Sequence, residues 1–114
     1  MRISVTCRHM DTTDALREHA MSKVEHDFHE FPRVLDVHVI LDVQRHLHIA
    51  EVVVKGSNHI SVEGKEESDD MYYSIDSAVE KAARQLRKQR DKDTDHKHTD
   101  GLSELELEAL RRES

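Results

Sequence analysis

The apolar residues of this chain change their spacing three times, and these changes constrain the fold more than any other feature of the sequence. Residues 2–7 alternate between apolar and polar side chains, as in a β-strand with one buried face. Residues 14–31 place apolar side chains three or four positions apart, as on one face of a helix. Alternation returns over residues 35–62, and helical spacing resumes at residue 71. The sequence therefore predicts the element order β-α-β-β-β-α.

The first predicted helix has both a cap and a stop signal. Thr12 or Thr13 can accept hydrogen bonds from the free backbone amides at its start, and Pro32 is expected to end it. Its buried face is expected to comprise Leu16, Ala20, Val24, Phe28 and Phe31.

Three further predicted strands follow, separated by polar turn residues. The last of them is expected to be short and to end at Gly64. A second helix is expected to begin after Asp69 or Asp70, whose carboxylate can cap it, and to run to about Lys92. Its buried face is expected to comprise Met71, Ile75, Ala78, Val79, Ala82 and Leu86.

The connections between these elements determine the topology. A helix that joins two neighbouring strands makes a right-handed crossover, so the first two strands are expected to be parallel. Each strand has one apolar side, so both helices should cover the same face. We predict an α+β domain over residues 1–92, with a four-stranded mixed sheet and two helices on one face. Residues 93–114 hold three basic and seven acidic residues and are expected to form a flexible acidic tail, in which residues 103–110 order only against a partner.

Charge is distributed unevenly along the second helix. The whole chain has a formal net charge of -7, which by itself argues against a nucleic-acid partner. Residues 79–92, however, hold six basic and two acidic residues. Four of the basic residues fall on one stripe about 16 Å long, a length that could track several phosphates. These are Lys81, Arg84, Lys88 and Lys92.

Other candidate contact residues are less clearly placed. Arg87 lies on the other flank of the second helix, where neighbouring acidic residues offset its charge. Arg17 and Lys23 on the first helix are surrounded by acidic residues. Tyr72 and Tyr73 could stack on bases, but at least one is expected to pack at the start of the second helix. Cations near a helix C-terminus also interact favourably with its macrodipole, so charge alone leaves open an ordinary solvated surface.

Catalytic and metal-binding motifs do not occur in the sequence. The three glycines are scattered, so no phosphate-binding loop is present, and there is no nucleophile elbow. Histidines at positions 26 and 29, 46 and 48, and 96 and 98 match no recognised metal-ligand set. Surface histidine does gain positive charge below about pH 6.5, which would make anion binding sensitive to pH. We therefore expect that the protein is not an enzyme and that it uses no cofactor and no small-molecule substrate.

The sequence also bears on the compartment. The single cysteine, Cys7, cannot form an intramolecular disulfide. No apolar run approaches the roughly 20 residues needed to cross a bilayer, and residues 1–30 lack the pattern of a signal peptide. We expect a cytoplasmic protein without a membrane partner.

A set of short segments is more specific than any single pattern. They are Arg2–Met10, Thr13–Arg17 with Lys23, Ile49–Val52, Asp70–Asp76 and Lys81 with Arg84–Lys88. Together they resemble the ribosome hibernation promoting factors, including the ribosome-associated inhibitor A type. The resemblance covers residues 1–92, and the Asp-Met-Tyr and Ile-Asp pattern with its basic continuation is its most specific part.

The resemblance implies a fold like that of double-stranded-RNA-binding domains and a partner, the rRNA of the small ribosomal subunit. It also implies binding near the tRNA A and P sites and the messenger channel, which would block translation sterically in stationary phase or stress. The rRNA contacts that it implies are Lys81, Arg84 and Lys88, followed by Arg17, Lys23, Arg87 and Lys92.

Two segments depart from the family pattern. The end of the first helix, residues 25–30, is acidic and rich in histidine where many relatives are rich in lysine. The acidic tail resembles that of the inhibitor A type and could make other ribosome-bound or self contacts.

Two alternatives for the function stay open. One is a protein-interaction module without RNA binding, in which the second helix and the tail engage each other or another protein, and the other is a histidine-based metal-binding protein.

Overall fold

The computed structural model describes residues 1–98, with side chains described as far as Asp91. Six elements follow the predicted order. Residues 99–114, which include the predicted amphipathic segment at 103–110, lie outside the described residues, so the expectations for them stay predictions. The elements are β1 (Arg2–Arg8), α1 (Asp14–Phe28), β2 (Val34–Gln44), β3 (Leu47–Gly56), β4 (Ser61–Ser68) and α2 (Met71–His98).

The four strands form one mixed sheet in the order β1-β2-β3-β4. β1 pairs with β2 in parallel, and the other two pairs of neighbours are antiparallel. Val5, Val39 and Val52 are register partners across the first three strands, so the alternating apolar residues share one face. The predicted topology, with its parallel first pair, is confirmed.

Both helices pack on that apolar face and share one hydrophobic core. Val24 and Phe28 of α1, and Ile75 and Val79 of α2, are fully buried against the sheet. Burying a side chain of this size contributes roughly 1.5–3 kcal/mol, so these positions fix which side of each helix faces inward. The opposite side of each helix is left to solvent.

The ends of α1 follow from local hydrogen bonds. Thr13 is its N-cap, since the side-chain oxygen accepts from the Leu16 N–H at 3.1 Å. The helix ends at Phe28, three residues before the predicted end. Pro32 disfavours the helical conformation at Phe31, the residue that precedes it. The Phe31 N–H instead donates to the Phe28 carbonyl oxygen at 3.0 Å, in a turn from which Phe31 is still buried.

β4 is longer than predicted and continues past Gly64 to Ser68. A β-carbon at position 64 would collide with the carbonyl group of Ala78 in α2. The glycine therefore marks a close approach of helix and strand within β4, and not the end of the strand as predicted.

α2 also exceeds its predicted length. Asp70 caps it as expected, since a carboxylate oxygen accepts from the Tyr72 N–H at 3.2 Å. The helix continues to His98, six residues beyond the predicted end and into residues predicted to form a linker. No glycine or proline occurs between residues 71 and 98 to interrupt it, so a solvated extension of the helix can form without a core to bury.

Candidate nucleic-acid interface

Three of the exposed cations of α2 lie together on its solvent-facing side. The apolar residues of this helix pack on β3 and β4, which turns Arg84, Arg87 and Lys88 outward. None of their side chains has an ion-pair or hydrogen-bond partner among the described residues. We call these three residues the outer basic face. It contains two members of the predicted stripe, together with Arg87 from the flank.

Lys81, the first residue of the predicted stripe, is already engaged within the protein. Its Nζ lies 2.6 Å from a carboxylate oxygen of Glu66 and donates to the Lys65 carbonyl oxygen at 3.0 Å. The hydrogen bond from Lys81, assisted by one from Ser77, lowers the pKa of Glu66 below its usual value although burial opposes the shift. The charge of Lys81 is therefore largely neutralised at the edge of β4.

Lys23 is also engaged, because it joins the two helices. Its Nζ lies 3.0 Å from Glu80 of α2 and 3.3 Å from Asp27 of α1. Burial works to lower the pKa of Lys23, but the hydrogen bonds to Glu80 and Asp27 and their negative charges raise it above the usual value. Lys23 is thus a permanent cation whose charge is matched by two carboxylates.

The two remaining predicted contacts lie elsewhere. Arg17 is exposed on the N-terminal half of α1. Lys92 belongs to α2, but its side chain lies beyond the described ones. The six predicted residues whose side chains are described therefore do not form one continuous cluster. The structure separates an outward set from a set held in ion pairs.

A groove of about 460 Å³ lies between the second half of α1 and the middle of α2. We call it the interhelical groove. It brings two residues of the outer basic face together with the histidine-rich end of α1, a contact between segments far apart in sequence that the sequence alone did not reveal. Its lining comprises Lys23, His26, Asp27, His29, Glu30, Glu80, Arg84 and Arg87.

The tyrosines at the start of α2 are more exposed than predicted. Tyr72 is 42% exposed and Tyr73 57%, although at least one was expected to be covered by a neighbouring strand. The ring of Tyr72 meets His19 edge to face, with 4.9 Å between the ring centroids. His19 in turn lies 2.7 Å from Asp76, so this tyrosine contacts a residue of α1 that is itself bound to α2.

The described residues contain neither a metal-binding cluster nor a membrane-spanning helix. No group of three or more histidine, cysteine, aspartate or glutamate side chains there could hold a metal ion. Nor is any described helix long and apolar enough to cross a membrane.

Comparison with known proteins identifies the family. The family model described as Sigma 54 modulation protein / S30EA ribosomal protein matches residues 3–94. The ribosome hibernation promoting factors of Salmonella typhimurium and Escherichia coli are each 34% identical to the chain over 99 residues. These alignments cover 84% of this chain and 100% of each relative.

Solved structures agree with this result. A ribosomal subunit interface protein from Coxiella burnetii matches with a TM-score of 0.70 and 27% identity, over 80% of this chain and 99% of that one. The N-terminal domain of Protein Y from Thermus thermophilus matches with a TM-score of 0.70 and 27% identity, over 77% and 98% of the two chains. The resemblance found in the sequence is confirmed, and the chain belongs to the Sigma 54 modulation protein / S30EA ribosomal protein family, which its hibernation-promoting relatives represent.

Proposed function

We propose that this protein is a ribosome hibernation factor that binds the rRNA of the small ribosomal subunit and inhibits translation. The family match over residues 3–94 carries the proposal. The relatives named ribosome hibernation promoting factor and ribosomal subunit interface protein support a ribosomal partner. Such a partner implies a cytoplasmic protein, and the resemblance to hibernation factors implies that it acts in stationary phase or stress.

The outer basic face is the proposed centre of the rRNA contact. Arg84, Arg87 and Lys88 are exposed and unpaired among the described residues, so they can approach phosphates without first breaking an internal ion pair. Lys81 and Lys23 would have to leave carboxylate partners, so each should contribute less. We propose Arg17 and Lys92 as peripheral contacts.

The proposed mechanism is steric occlusion. A small rigid domain bound near the tRNA A and P sites and the messenger channel excludes the ligands of those sites by volume alone. This mechanism requires affinity and shape but no reacting group, in line with a family of hibernation factors and not of enzymes. The activity should therefore scale with occupancy of the small subunit.

Co-sedimentation with purified small ribosomal subunits tests the proposal. The wild-type protein should pellet with the subunits at low salt, and R84E/K88E should stay largely in the supernatant. K55E/K65E makes the same change in net charge on the helix-free face of the sheet and is the matched control. Bound tRNA should decrease as bound protein increases. Failure of the wild-type protein to co-sediment at any salt concentration would contradict the proposal, as would equal losses in the two double variants.

A further inference from the structure

The carboxylates of the interhelical groove are occupied by partners within the protein. Asp27 and Glu80 lie on either side of Lys23, at 3.3 and 3.0 Å from its Nζ. Glu30 lies 3.7 Å from Arg90, whose guanidinium sits over the ring of Phe31 outside the lining of the groove. Lys23 offsets one of the two charges of Asp27 and Glu80, and Arg90 offsets that of Glu30, so one negative charge remains.

Two arginines and two histidines account for the rest of the lining. Arg84 and Arg87 enter from α2 without an internal ion pair among the described residues. His26 and His29 enter from the end of α1, are exposed, and have their ring centroids 6.4 Å apart. The two arginines outweigh the one remaining negative charge, and any protonated histidine adds to the positive charge offered to a ligand.

Hydrogen bonding holds both histidines in one tautomer. Nδ1 of His29 lies 2.7 Å from the His26 carbonyl oxygen, which can only accept, so this nitrogen carries the hydrogen. Nδ1 of His26 lies 2.9 Å from the Asp27 carboxylate, which also only accepts when ionised. In the neutral rings Nε2 is therefore a bare acceptor, and it becomes a donor only when the ring gains a second proton.

We propose that the interhelical groove binds phosphate groups of the rRNA backbone and that His26 and His29 contribute only when protonated. The inference rests on the proposed function and deepens it. A neutral Nε2 opposes a phosphate oxygen because both are acceptors, whereas a protonated ring supplies a donor and a positive charge. Arg84 and Arg87 contribute at every pH, since guanidinium stays charged.

The sign of the pH dependence follows from this arrangement. The histidine contribution requires the charged imidazolium, so it is present at acidic pH and is lost as the pH rises. Besides the two arginines, the charged groups that share the groove with the histidines are Lys23, Asp27, Glu30 and Glu80. Acidification should therefore tighten binding through the groove.

The test is the affinity of the protein for purified small ribosomal subunits at pH 7.5 and 5.5, each over a series of salt concentrations. The wild-type protein should bind more tightly at pH 5.5. The slope of log affinity against log salt should steepen by about 0.7–0.9 for each histidine that becomes charged. H26Q/H29Q should lose this gain at pH 5.5.

A matched control separates the groove from a general effect of histidine charge. H38Q/H46Q removes two exposed histidines that do not line the groove, one on the helix-free face of the sheet and one in the turn between β2 and β3. It should keep the full gain at acidic pH. Circular dichroism at both pH values establishes that each variant is folded.

The possible failures are distinguishable. A gain at pH 5.5 that survives in H26Q/H29Q, or that H38Q/H46Q loses equally, would overturn the groove inference and leave the proposed function standing. So would wild-type binding that does not change with pH. Absence of wild-type binding at both pH values would refute the proposed function, and the groove inference would fall with it.

Discussion

Gly64 is the residue where the packing of helix on sheet is closest. The backbone of α2 crosses β4 at this point, and an added β-carbon would collide with the Ala78 carbonyl group. Gly64→Ala is expected to lower the free energy of unfolding by about 1–3 kcal/mol, because the helix or the strand must shift. Urea denaturation measures this loss. Glu63→Ala, an exposed neighbour in the same strand, is the control and should stay within about 0.5 kcal/mol of the wild type. Equal stability of the two variants would contradict the close packing.

Glu66 should make stability depend on pH through its bond to Lys81. Its pKa is lower in the folded protein than its usual value, so its contribution is present above the usual carboxyl range and is lost as the pH falls through the folded value. Glu66→Gln should therefore be less stable than the wild type at pH 7, and the difference should shrink toward pH 3. Urea denaturation across this range measures it. Glu67→Gln, whose carboxylate is 3.7 Å from Lys65 and exposed, should show a smaller difference at pH 7. A gap between Glu66→Gln and wild type that stays constant with pH would exclude this role.

The sequence could predict which residues are basic, but not which of them are free to bind. Lys81 and Arg84 lie three positions apart on the same predicted stripe and are equivalent by periodicity. They differ because Lys81 is next to Glu66 and the Lys65 carbonyl oxygen, groups contributed by a different element. Contacts between segments distant in sequence decide such differences, and spacing within one helix does not contain them.

At the scale of elements, the type and order of each helix and strand could be predicted because hydrophobic spacing reports which face is buried. Their ends could not be predicted as well. Phe31 has the spacing of the buried helix residues and is itself buried, but it lies in a turn after the helix has ended. Glycine is typical of turns, so Gly64 predicted the end of a strand. In the structure it lies inside β4, where the close approach of α2 leaves no room for a β-carbon. Pro32 ends the helix locally while Phe31 stays buried, whereas at Gly64 tertiary packing overrides the local signal.

The two sets of cations on the helices should differ in their contribution to binding. R84Q/K88Q is expected to weaken binding to small subunits and to reduce the slope of log affinity against log salt by about 0.7–0.9 for each lost phosphate contact. K23Q/K81Q removes the same charge but should reduce the slope less, because both lysines already face carboxylates. Filter binding over a salt series measures the slopes. Equal slopes for the two variants would show that ion pairing inside the protein does not select the contacts.

At the scale of the whole molecule, a net charge of -7 coexists with a basic face on α2. The acidic residues of the tail account for part of the negative net charge. Residues 99–114 hold five acidic and two basic residues, so truncation after His98 removes a net charge of -3 and leaves the described helix intact. We expect the truncated protein to bind small subunits more tightly, chiefly at low salt where repulsion is least screened. Affinities of the two forms measured at low and high salt test this. A gain that is absent at low salt would exclude tail repulsion.

The central claim is that the outer basic face contacts rRNA, and a cryo-electron microscopy structure of the protein on the small ribosomal subunit tests it most directly. We predict that the side chains of Arg84 and Lys88 lie about 3 Å from phosphate oxygens. We also predict that the helix-free face of the sheet points away from the rRNA. A complex in which that face forms the contact and α2 faces solvent would contradict the account.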